Sequence, residues 1–214
     1  MQINQLQFGV LSPAKIRSIS VCEVVTDELY CDGKPKAGGL RDPLFGVLGR
    51  RGQCTACGKT WSECSGHFGH YVLPCPLYHV GWMPEVLRWL KRSCLCGHVS
   101  AMPLKKKCPN CKQNTPKFAK KNAITLTIQD NEGLRPLLAH EAYQRLQKIP
   151  LEKVRNLRKT VDDFHPTWLI LTVLPIPPNC VRPSPTLDGD EVRGEDDITR
   201  RLLYVLRISL QVKL

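Results

Sequence analysis

Eight residues that can bind a metal lie in four close pairs within 58 positions, and this pattern constrains the fold more than any other feature. The first set is Cys54, Cys57, Cys64 and His67, and the second set is Cys94, Cys96, Cys108 and Cys111. Two ligands on a tight turn lie on one side of an ion, and a second pair completes a closed tetrahedron with no position open for a substrate. The spacing therefore predicts two structural zinc sites, each holding one Zn²⁺ ion, with the stronger signal in the first set.

The assignment of ligands within these sets has alternatives. The second set opens with the short spacing Cys94-x-Cys96, and His98 lies close enough that Cys96 with His98 could replace Cys94 with Cys96. His70 could likewise substitute for a ligand of the first set. The sequence leaves the first turn of the second site open.

A disulfide framework is the other interpretation of 11 cysteines in 214 residues. The count is odd, no apolar secretory segment opens the sequence, and paired cysteines on short turns suit an ion better than crossed bridges. We therefore expect a reducing compartment. Cys22, Cys31, Cys75 and Cys180 are isolated in sequence, and we expect them to be small buried apolar residues or free surface thiols.

A net charge of +12 predicts attraction to a polyanion, with nucleic acid the first candidate and an anionic membrane surface the second. Seven lysines follow one another in and after the second set without an intervening acid: Lys105, Lys106, Lys107, Lys112, Lys117, Lys120 and Lys121. Such a run is either a solvated face or a phosphate-binding surface, and its position beside a zinc site favours phosphate. The sequence contains no run of 18 apolar residues, so it predicts no membrane-spanning helix.

Periodicity predicts an α+β chain of short helices, short strands and irregular loops. Helices are expected after Pro13, after Pro84, over the leucines from Leu134 to Leu146, from Pro150, and from Ile198 to about Leu210. Strands are expected at 21–25, 71–73, 124–128 and 168–174, with the second stopped by Pro74 and Pro76. Residues 175–185 carry five prolines and are expected to be extended.

No catalytic constellation emerges from the residues alone. Asp188-Gly189-Asp190 suggests a magnesium site, but no third carboxylate and no apolar strand support it, so a solvated turn is the better interpretation. Arg182 lies on the rigid proline-rich segment and is expected to contact a phosphate. The four tryptophans are expected mainly in the core rather than as platforms for stacked bases.

Several ordered motifs resemble the N-terminal region of the largest subunit of the multisubunit RNA polymerases of eukaryotes and archaea. They are Phe-Gly-Val-Leu-Ser-Pro at 8–13, Gly-Gly-Leu-Arg-Asp-Pro at 38–43, Glu-Cys-Ser-Gly-His-Phe-Gly-His at 63–70, Leu-Thr-Val-Leu-Pro at 171–175 with Val-Arg-Pro-Ser at 181–184, and Arg-Gly-Glu-Asp-Asp-Ile-Thr at 193–199. The resemblance covers nearly the whole chain.

The resemblance implies a zinc-stapled clamp that closes over DNA and the RNA–DNA hybrid, with 185–195 as a lid-like loop. Catalysis by the DNA-directed RNA polymerase, a nucleotidyltransferase, would belong to the assembled enzyme, where Mg²⁺ is bound by carboxylates outside this chain. The implied partners are the second-largest and smaller polymerase subunits, and the implied location is the nucleus. We divide the chain into a clamp head portion at 1–122, containing both zinc sites, and a clamp core portion at 123–214. Lys105, Lys106, Lys107 and Arg182 are the expected nucleic-acid contacts.

Two departures from the family pattern matter. The second set has the short Cys94-x-Cys96 turn and a short interval, where nuclear relatives have Cys-x2-Cys and a longer insertion. The chain is also much shorter than a full largest subunit, so a truncated gene model, an expressed fragment and a split subunit stay open. The choice between polymerase II and polymerase III stays open as well. A short chain of this kind would expose Leu202, Leu206 and Leu210 to a partner.

Two rival functions belong to other classes. In a cross-braced ubiquitin-ligase-like interaction module, Cys54 and Cys57 would share an ion with Cys94 and Cys96, whereas the clamp requires them to share it with Cys64 and His67. A free-standing single-strand nucleic-acid binder would bind tightly on its own. The spatial pairing of the ligands therefore discriminates between the clamp and the cross-brace.

Overall fold

The computed structural model describes residues 9–49, 52–131, 133–158, 164–184, 186–187 and 192–213. The helices in this part of the chain are α1 (Pro13–Ile19), α2 (Met83–Arg92), α3 (Ala139–Gln147), α4 (Leu151–Arg158) and α5 (Asp197–Lys213). The strands are β1 (Tyr30–Cys31), β2 (Lys34–Pro35), β3 (Gly69–Tyr78), β4 (Lys117–Lys120), β5 (Leu126–Asp130), β6 (Gly133–Leu137), β7 (Ile170–Ile176), β8 (Thr186–Leu187) and β9 (Val192–Arg193). This mixture of helices and short strands confirms the α+β class.

The strands form small sheets. β4, β5 and β6 make an antiparallel three-stranded sheet in which Phe118 lies opposite Ile128 and Leu126 lies opposite Leu137. β1 pairs with β2 and β8 pairs with β9, both antiparallel, and β3 forms a two-stranded sheet with β7. Among the residues that the structure describes, no helix is both long and apolar enough to cross a membrane.

The chain divides into two compact units. The sheet unit comprises Met1–Ser12 and Cys75–Thr172, and the α5 unit comprises Pro13–Pro74 and Val173–Leu214. Each unit therefore holds one ligand set, whereas the division at residue 122 places both sets in one domain. Spatial units differ from a linear division here because the chain passes from one unit to the other within both β3 and β7.

The core of the sheet unit lies between α2, α3 and the three-stranded sheet. Pro84 in the first turn, Glu85 near the start and Lys91 and Arg92 in the last turn favour α2 as a helix. One face of α2 is buried, and it belongs to a cluster that includes Met83, Val86, Trp89, Leu90, Leu126, Ile128, Ala142 and Leu146. This packing fixes the end of α2, directly before Cys94.

In the α5 unit, the buried apolar residues include Leu40, Phe45, Tyr71 and Leu206. The start of α5 is capped by Asp196, whose Oδ1 accepts a hydrogen bond from the Thr199 backbone N–H at 2.9 Å. The predicted helix is confirmed. Leu206, expected to be exposed, is only 2% exposed.

Four local predictions were wrong. Residues 175–185 are not extended throughout, because Asn179–Val181 form a short 3₁₀ helix. β3 continues through Pro74 and Pro76 to Tyr78, because a strand can hold proline where no partner needs its N–H. The leucine spacing from Leu134 is not helical at first, since 133–137 form β6 paired with β5, and α3 begins only at Ala139. The strand expected at 21–25 is only an isolated bridge between Glu23 and His70.

Candidate metal centres

The first ligand set lies in the α5 unit on two tight turns. In the first turn, the Cys54 carbonyl accepts a hydrogen bond from the Gly58 N–H at 2.7 Å, and the Cys54 N–H donates to the Lys59 carbonyl at 2.9 Å. The Cys64 N–H donates to the Thr60 carbonyl at 2.9 Å, which joins the second pair of ligands to the first turn. These short-range hydrogen bonds bring Cys54, Cys57 and Cys64 to one point.

Gly66 shapes the second turn of this set. Its φ of +81° lies in the left-handed region, and its N–H donates to the Cys64 Sγ at 3.4 Å. A Cβ at this position would lie 2.5 Å from the Pro178 Cβ and 2.7 Å from the Cys180 Sγ. The His67 N–H then donates to the Phe45 carbonyl at 3.2 Å, which anchors the fourth ligand.

The second ligand set, in the sheet unit, repeats this construction. The Cys94 N–H donates to the His98 carbonyl at 2.9 Å, and the Gly97 N–H donates to the Cys94 carbonyl at 3.0 Å. In the other turn, the Cys108 N–H donates to the Gln113 carbonyl at 2.9 Å, and the Cys108 carbonyl accepts a hydrogen bond from the Lys112 backbone N–H. Each turn again presents a pair of sulfur atoms on one side.

The ligand atoms of each set lie within 4.8 Å of one another. In the first set, the Cys64 Sγ is 3.7 Å from the Cys57 Sγ and 3.6 Å from the His67 Nε2. In the second set, the sulfur pairs Cys94–Cys111 and Cys96–Cys108 are 3.5 and 3.7 Å apart. In each set, two ligand pairs that follow one another along the sequence share one site. The structure therefore shows sequential sites and not the cross-braced alternative.

These distances fit a tetrahedral ion. Sulfur atoms about 2.3 Å from a zinc ion at the centre of a tetrahedron lie about 3.8 Å from one another. A disulfide would need about 2.05 Å between sulfur atoms, and all eleven cysteines are free. Soft thiolate ligands with one imidazole are the donors that zinc prefers in structural sites. Each set can therefore hold one metal ion, as the sequence predicts.

The thiols of the second set have unequal proton affinities. A hydrogen bond from the Asn110 side chain, whose Nδ2 is 3.6 Å from the Cys96 Sγ, lowers the pKa of Cys96 to about 6. Burial raises the pKa of Cys94 to about 12, and the neighbouring sulfur atoms add to this effect. Cys96 is thus the thiol of this pair that is a thiolate at neutral pH and ready to receive a cation.

The alternative ligands lie elsewhere. His98 contributes its backbone carbonyl to the Cys94 turn and is not among the four converging ligands. The His70 ring is on β3, with Nδ1 2.8 Å from the Ser20 Oγ and Nε2 3.8 Å from the Glu23 carboxylate. Of the four isolated cysteines, Cys22 is half-buried and the other three are exposed.

The structure corrects the prediction for Arg182. Its side chain is buried, with 0% exposure, and not presented to a phosphate. The guanidinium donates to the Pro177 carbonyl at 2.9 Å, to the Leu40 carbonyl at 2.8 Å and to the Thr199 Oγ1 at 3.2 Å. Burial lowers the pKa of Arg182 to about 10, and the nearby Arg41 charge acts in the same direction. Arg182 holds three segments of the α5 unit together.

Arg41 is a buried charged residue of this unit that the sequence analysis missed. It is 1% exposed, and its guanidinium donates to the Arg182 carbonyl and to the carboxylates of Glu195 and Asp196. Two arginines and two carboxylates therefore form a neutral cluster, which we name the arginine cluster: Arg41, Arg182, Glu195 and Asp196. The Arg41-Asp42-Pro43 motif was the available signal, but motif matching assigned no role to it.

The lysine run is on the surface. Lys105, Lys106 and Lys107 are all exposed beside the second ligand set, as a phosphate-binding surface requires. Among the tryptophans, Trp89 is 4% exposed and in the core, whereas Trp61 and Trp82 are 55% and 41% exposed. Residues 185 and 188–191 of the lid-like loop, including the aspartates at 188 and 190, lie outside the described residues.

Comparison with known proteins gives a consistent family assignment. The family described as RNA polymerase Rpb1, domain 1, matches residues 1–115 and 98–213. DNA-directed RNA polymerase subunit Rpo1N of Sulfolobus acidocaldarius is 32% identical over 99% of this chain, and that of Methanothermobacter thermautotrophicus is 34% identical over 99%. The Methanocaldococcus jannaschii subunit is 33% identical over 97%. The chain spans 28% of the length of the first two relatives and 18% of the third.

Proposed function

Because the chain belongs to the RNA polymerase Rpb1, domain 1, family, we propose that it is the zinc-stapled N-terminal clamp portion of a DNA-directed RNA polymerase largest subunit. The observation that carries the proposal is the sequential convergence of Cys54, Cys57, Cys64 and His67 in one unit and of the four cysteines in the other. Closed four-ligand sites of this kind stabilise a fold and leave no open position for catalysis.

The proposed role is to hold DNA and the RNA–DNA hybrid through charge. Residues 86–129 contain ten lysines and arginines and no acid. Lysines on this surface, Lys105, Lys106 and Lys107 among them, would contact phosphates without reading the base sequence. Arg182 has no part in this contact, since its guanidinium is buried and donates to the Pro177 and Leu40 carbonyls and to the Thr199 hydroxyl.

Catalysis and assembly belong to the larger enzyme in this proposal. Nucleotidyl transfer with Mg²⁺ would take place on carboxylates outside this chain. The chain would assemble with the second-largest and smaller polymerase subunits. A nuclear location stays a prediction, because the relatives described above come from archaea.

The proposal is tested by measuring the affinity of the 214-residue, zinc-loaded chain for labelled duplex DNA at increasing salt. We expect similar affinity for unrelated sequences and a steep fall with salt, because bound counterions are released. Lys105→Gln/Lys106→Gln/Lys107→Gln should reduce the slope of log affinity against log salt by about 0.9 for each phosphate that these side chains no longer neutralise.

The charge-matched variant Lys112→Gln/Lys120→Gln/Lys121→Gln is the control, and it should change the slope less. An unchanged slope in the Lys105/Lys106/Lys107 variant would show that these lysines do not contact DNA phosphates. Tight binding of one single strand that resists salt would favour the single-strand binder over the clamp.

A further inference from the structure

A wide groove lies beside the second ligand set in the sheet unit. Its volume is about 1190 Å³, above the range of about 300–1,000 Å³ typical of small-molecule sites. It is lined by five lysines, among them Lys105 and Lys117, and by Pro103, Leu104, Pro116 and Phe118. Its size suits a segment of a chain better than a small compound.

The rim of the groove is positively charged. Its five lysines are all exposed, and no acid occurs between Glu85 and Asp130 to neutralise them. The ligand for this rim must therefore be anionic. Carboxylates spaced along an extended segment could reach several of these lysines at once.

The walls of the groove are aliphatic. Pro103, Leu104 and Pro116 line it, while the Phe118 ring is only 7% exposed and has the Arg145 guanidinium 5.7 Å from its centroid. No exposed aromatic side chain is among the described residues that line the groove, and sequence-tolerant binding of single strands relies on such rings. A large apolar side chain of a peptide fits these walls better than a base does.

Backbone hydrogen bonds hold the groove in shape. The Leu104 N–H donates to the Lys91 carbonyl at the end of α2 at 2.8 Å, and the Thr115 N–H donates to the Lys106 carbonyl at 3.0 Å. The backbones of Lys107 and Asn114 also form an isolated antiparallel β-bridge. Because both walls are fixed in this way, a ligand would bind with little further ordering of the protein.

We propose that this groove binds an acidic protein segment that carries a large apolar side chain. The apolar side chain packs against Leu104, Pro103 and Pro116, and flanking aspartates or glutamates pair with the lysines of the rim. The peptide and duplex DNA would share Lys105, Lys106 and Lys107, and the aliphatic walls distinguish the two interactions, because only the peptide depends on them.

The test uses the 214-residue, zinc-loaded chain and a fluorescein-labelled short peptide of aspartates and glutamates with a central phenylalanine. Fluorescence anisotropy at physiological salt measures its affinity. We expect replacement of that phenylalanine by serine to weaken binding about tenfold or more, as the removal of one buried apolar side chain predicts.

Two variants of the protein examine the walls. Leu104→Ser removes the central apolar contact, and Pro103→Glu places a negative charge on an exposed part of the groove without disturbing the core. Each should weaken peptide binding about tenfold, while zinc content and circular dichroism stay unchanged. Leu104→Ser should also leave duplex DNA binding unchanged, because it alters no charge. Lys112→Gln/Lys120→Gln/Lys121→Gln is the charge control and should have a small effect, since these residues do not line the groove.

Equal binding of the peptides with and without phenylalanine would overturn the proposal, because it would reveal attraction by charge alone. So would a single-stranded oligonucleotide that outcompetes the peptide and loses affinity in Leu104→Ser.

Discussion

The Arg41 guanidinium binds the carboxylate of Glu195, 154 residues further along the chain, with its Nε 3.0 Å from the Glu195 Oε2. Arg41 is 1% exposed and the Glu195 side chain 17%. The same guanidinium reaches the carboxylate of Asp196 at 3.2 Å, directly before α5. The arginine cluster therefore ties the loop that precedes the first ligand set to the start of the last helix.

We expect Arg41→Met to reduce the free energy of unfolding by about 3 kcal/mol or more, because it leaves two largely buried carboxylates with one arginine. Glu195→Met should also destabilise the chain by leaving an excess of positive charge. The double variant should cost less than the sum of the two, with a coupling energy of about 0.5–3 kcal/mol. Urea denaturation at saturating zinc measures all three.

Arg207→Met is the control for this prediction, since Arg207 pairs with Asp27 at 3.2 Å on the surface, where its side chain is 64% exposed. Its removal should cost less than about 1 kcal/mol. Additive effects of Arg41→Met and Glu195→Met would contradict the idea of a charge-balanced cluster.

Asp196 has two separable roles, as helix cap and as partner of the arginines. Burial raises its pKa, but hydrogen bonds from Thr199 and the charges of Arg41 and Arg182 outweigh burial and lower it. Asp196→Asn keeps a capping oxygen and removes only the charge, whereas Asp196→Ala removes both, so the alanine variant should be less stable by about 1 kcal/mol more. Denaturation of both variants measures the difference.

The sign of the pH dependence follows from the lowered pKa of Asp196. The charge contributes stability above the pKa of the unfolded chain, and this contribution is lost as pH falls through the lower folded value. The difference in stability between the parent and Asp196→Asn should thus be constant from about pH 5 to 8 and shrink in stronger acid. A difference that grows towards acid pH would contradict this assignment.

Sequence reasoning succeeded where a feature depends on neighbours along the chain. The ligand pairs converge as their spacing predicts, because each pair lies on one turn closed by hydrogen bonds within a few residues. Pro84 marked the start of α2 for the same reason, since first-turn residues act locally.

The failures depend on distant residues. The proline-rich sequence around Arg182 predicts an exposed arginine that contacts a phosphate. In the structure, Leu40 and Thr199, from distant parts of the sequence, accept hydrogen bonds from its guanidinium and enclose it. The leucines from Leu134 have helical spacing, but pairing of β6 with β5 decides their conformation. Local periodicity contains no information about either partner, and tertiary context overrides it.

Gly66→Ala should disrupt the first ligand set. Its φ is +81°, and the new Cβ would meet Pro178 and Cys180 closer than real Cβ atoms approach. We expect loss of metal from the first set and a lower thermal midpoint. Gly58→Ala is the control: its φ is +70° but a Cβ there meets nothing within 4 Å, so only backbone strain of about 1–2 kcal/mol is expected. Equal loss of metal and of thermal stability in Gly66→Ala and Gly58→Ala would contradict the prediction, because it would show that the contact of the new Cβ with Pro178 and Cys180 has no effect.

Zinc content should separate the two ligand sets. Elemental analysis of the chain purified without added metal should give two zinc ions, with one remaining in Cys64→Ser and one in Cys108→Ser, because each set is complete within its own unit. Cys31→Ser, at an exposed cysteine outside both sets, should retain two. Loss of both ions from either ligand variant would indicate a shared site, and absence of zinc would remove the basis of the clamp proposal.

Asn110→Ala tests whether a residue outside the ligand set prepares Cys96 for metal. Without the hydrogen bond from Asn110, the pKa of Cys96 should rise from about 6 towards the ordinary 9.0 of a cysteine thiol. A metal ion must then displace a proton at neutral pH, so zinc affinity at pH 7 should fall about 10-fold or more.

The fall in affinity should be greatest near pH 6 and below, and it should diminish as the pH rises towards 9, where the thiol of the variant ionises without help. Competition with a chromogenic chelator across this range measures it, with Asn114→Ala as the control because its side chain has no hydrogen bond to a cysteine sulfur among the described residues. A fall in affinity independent of pH would show that Asn110 positions the turn and leaves the proton affinity of Cys96 unchanged.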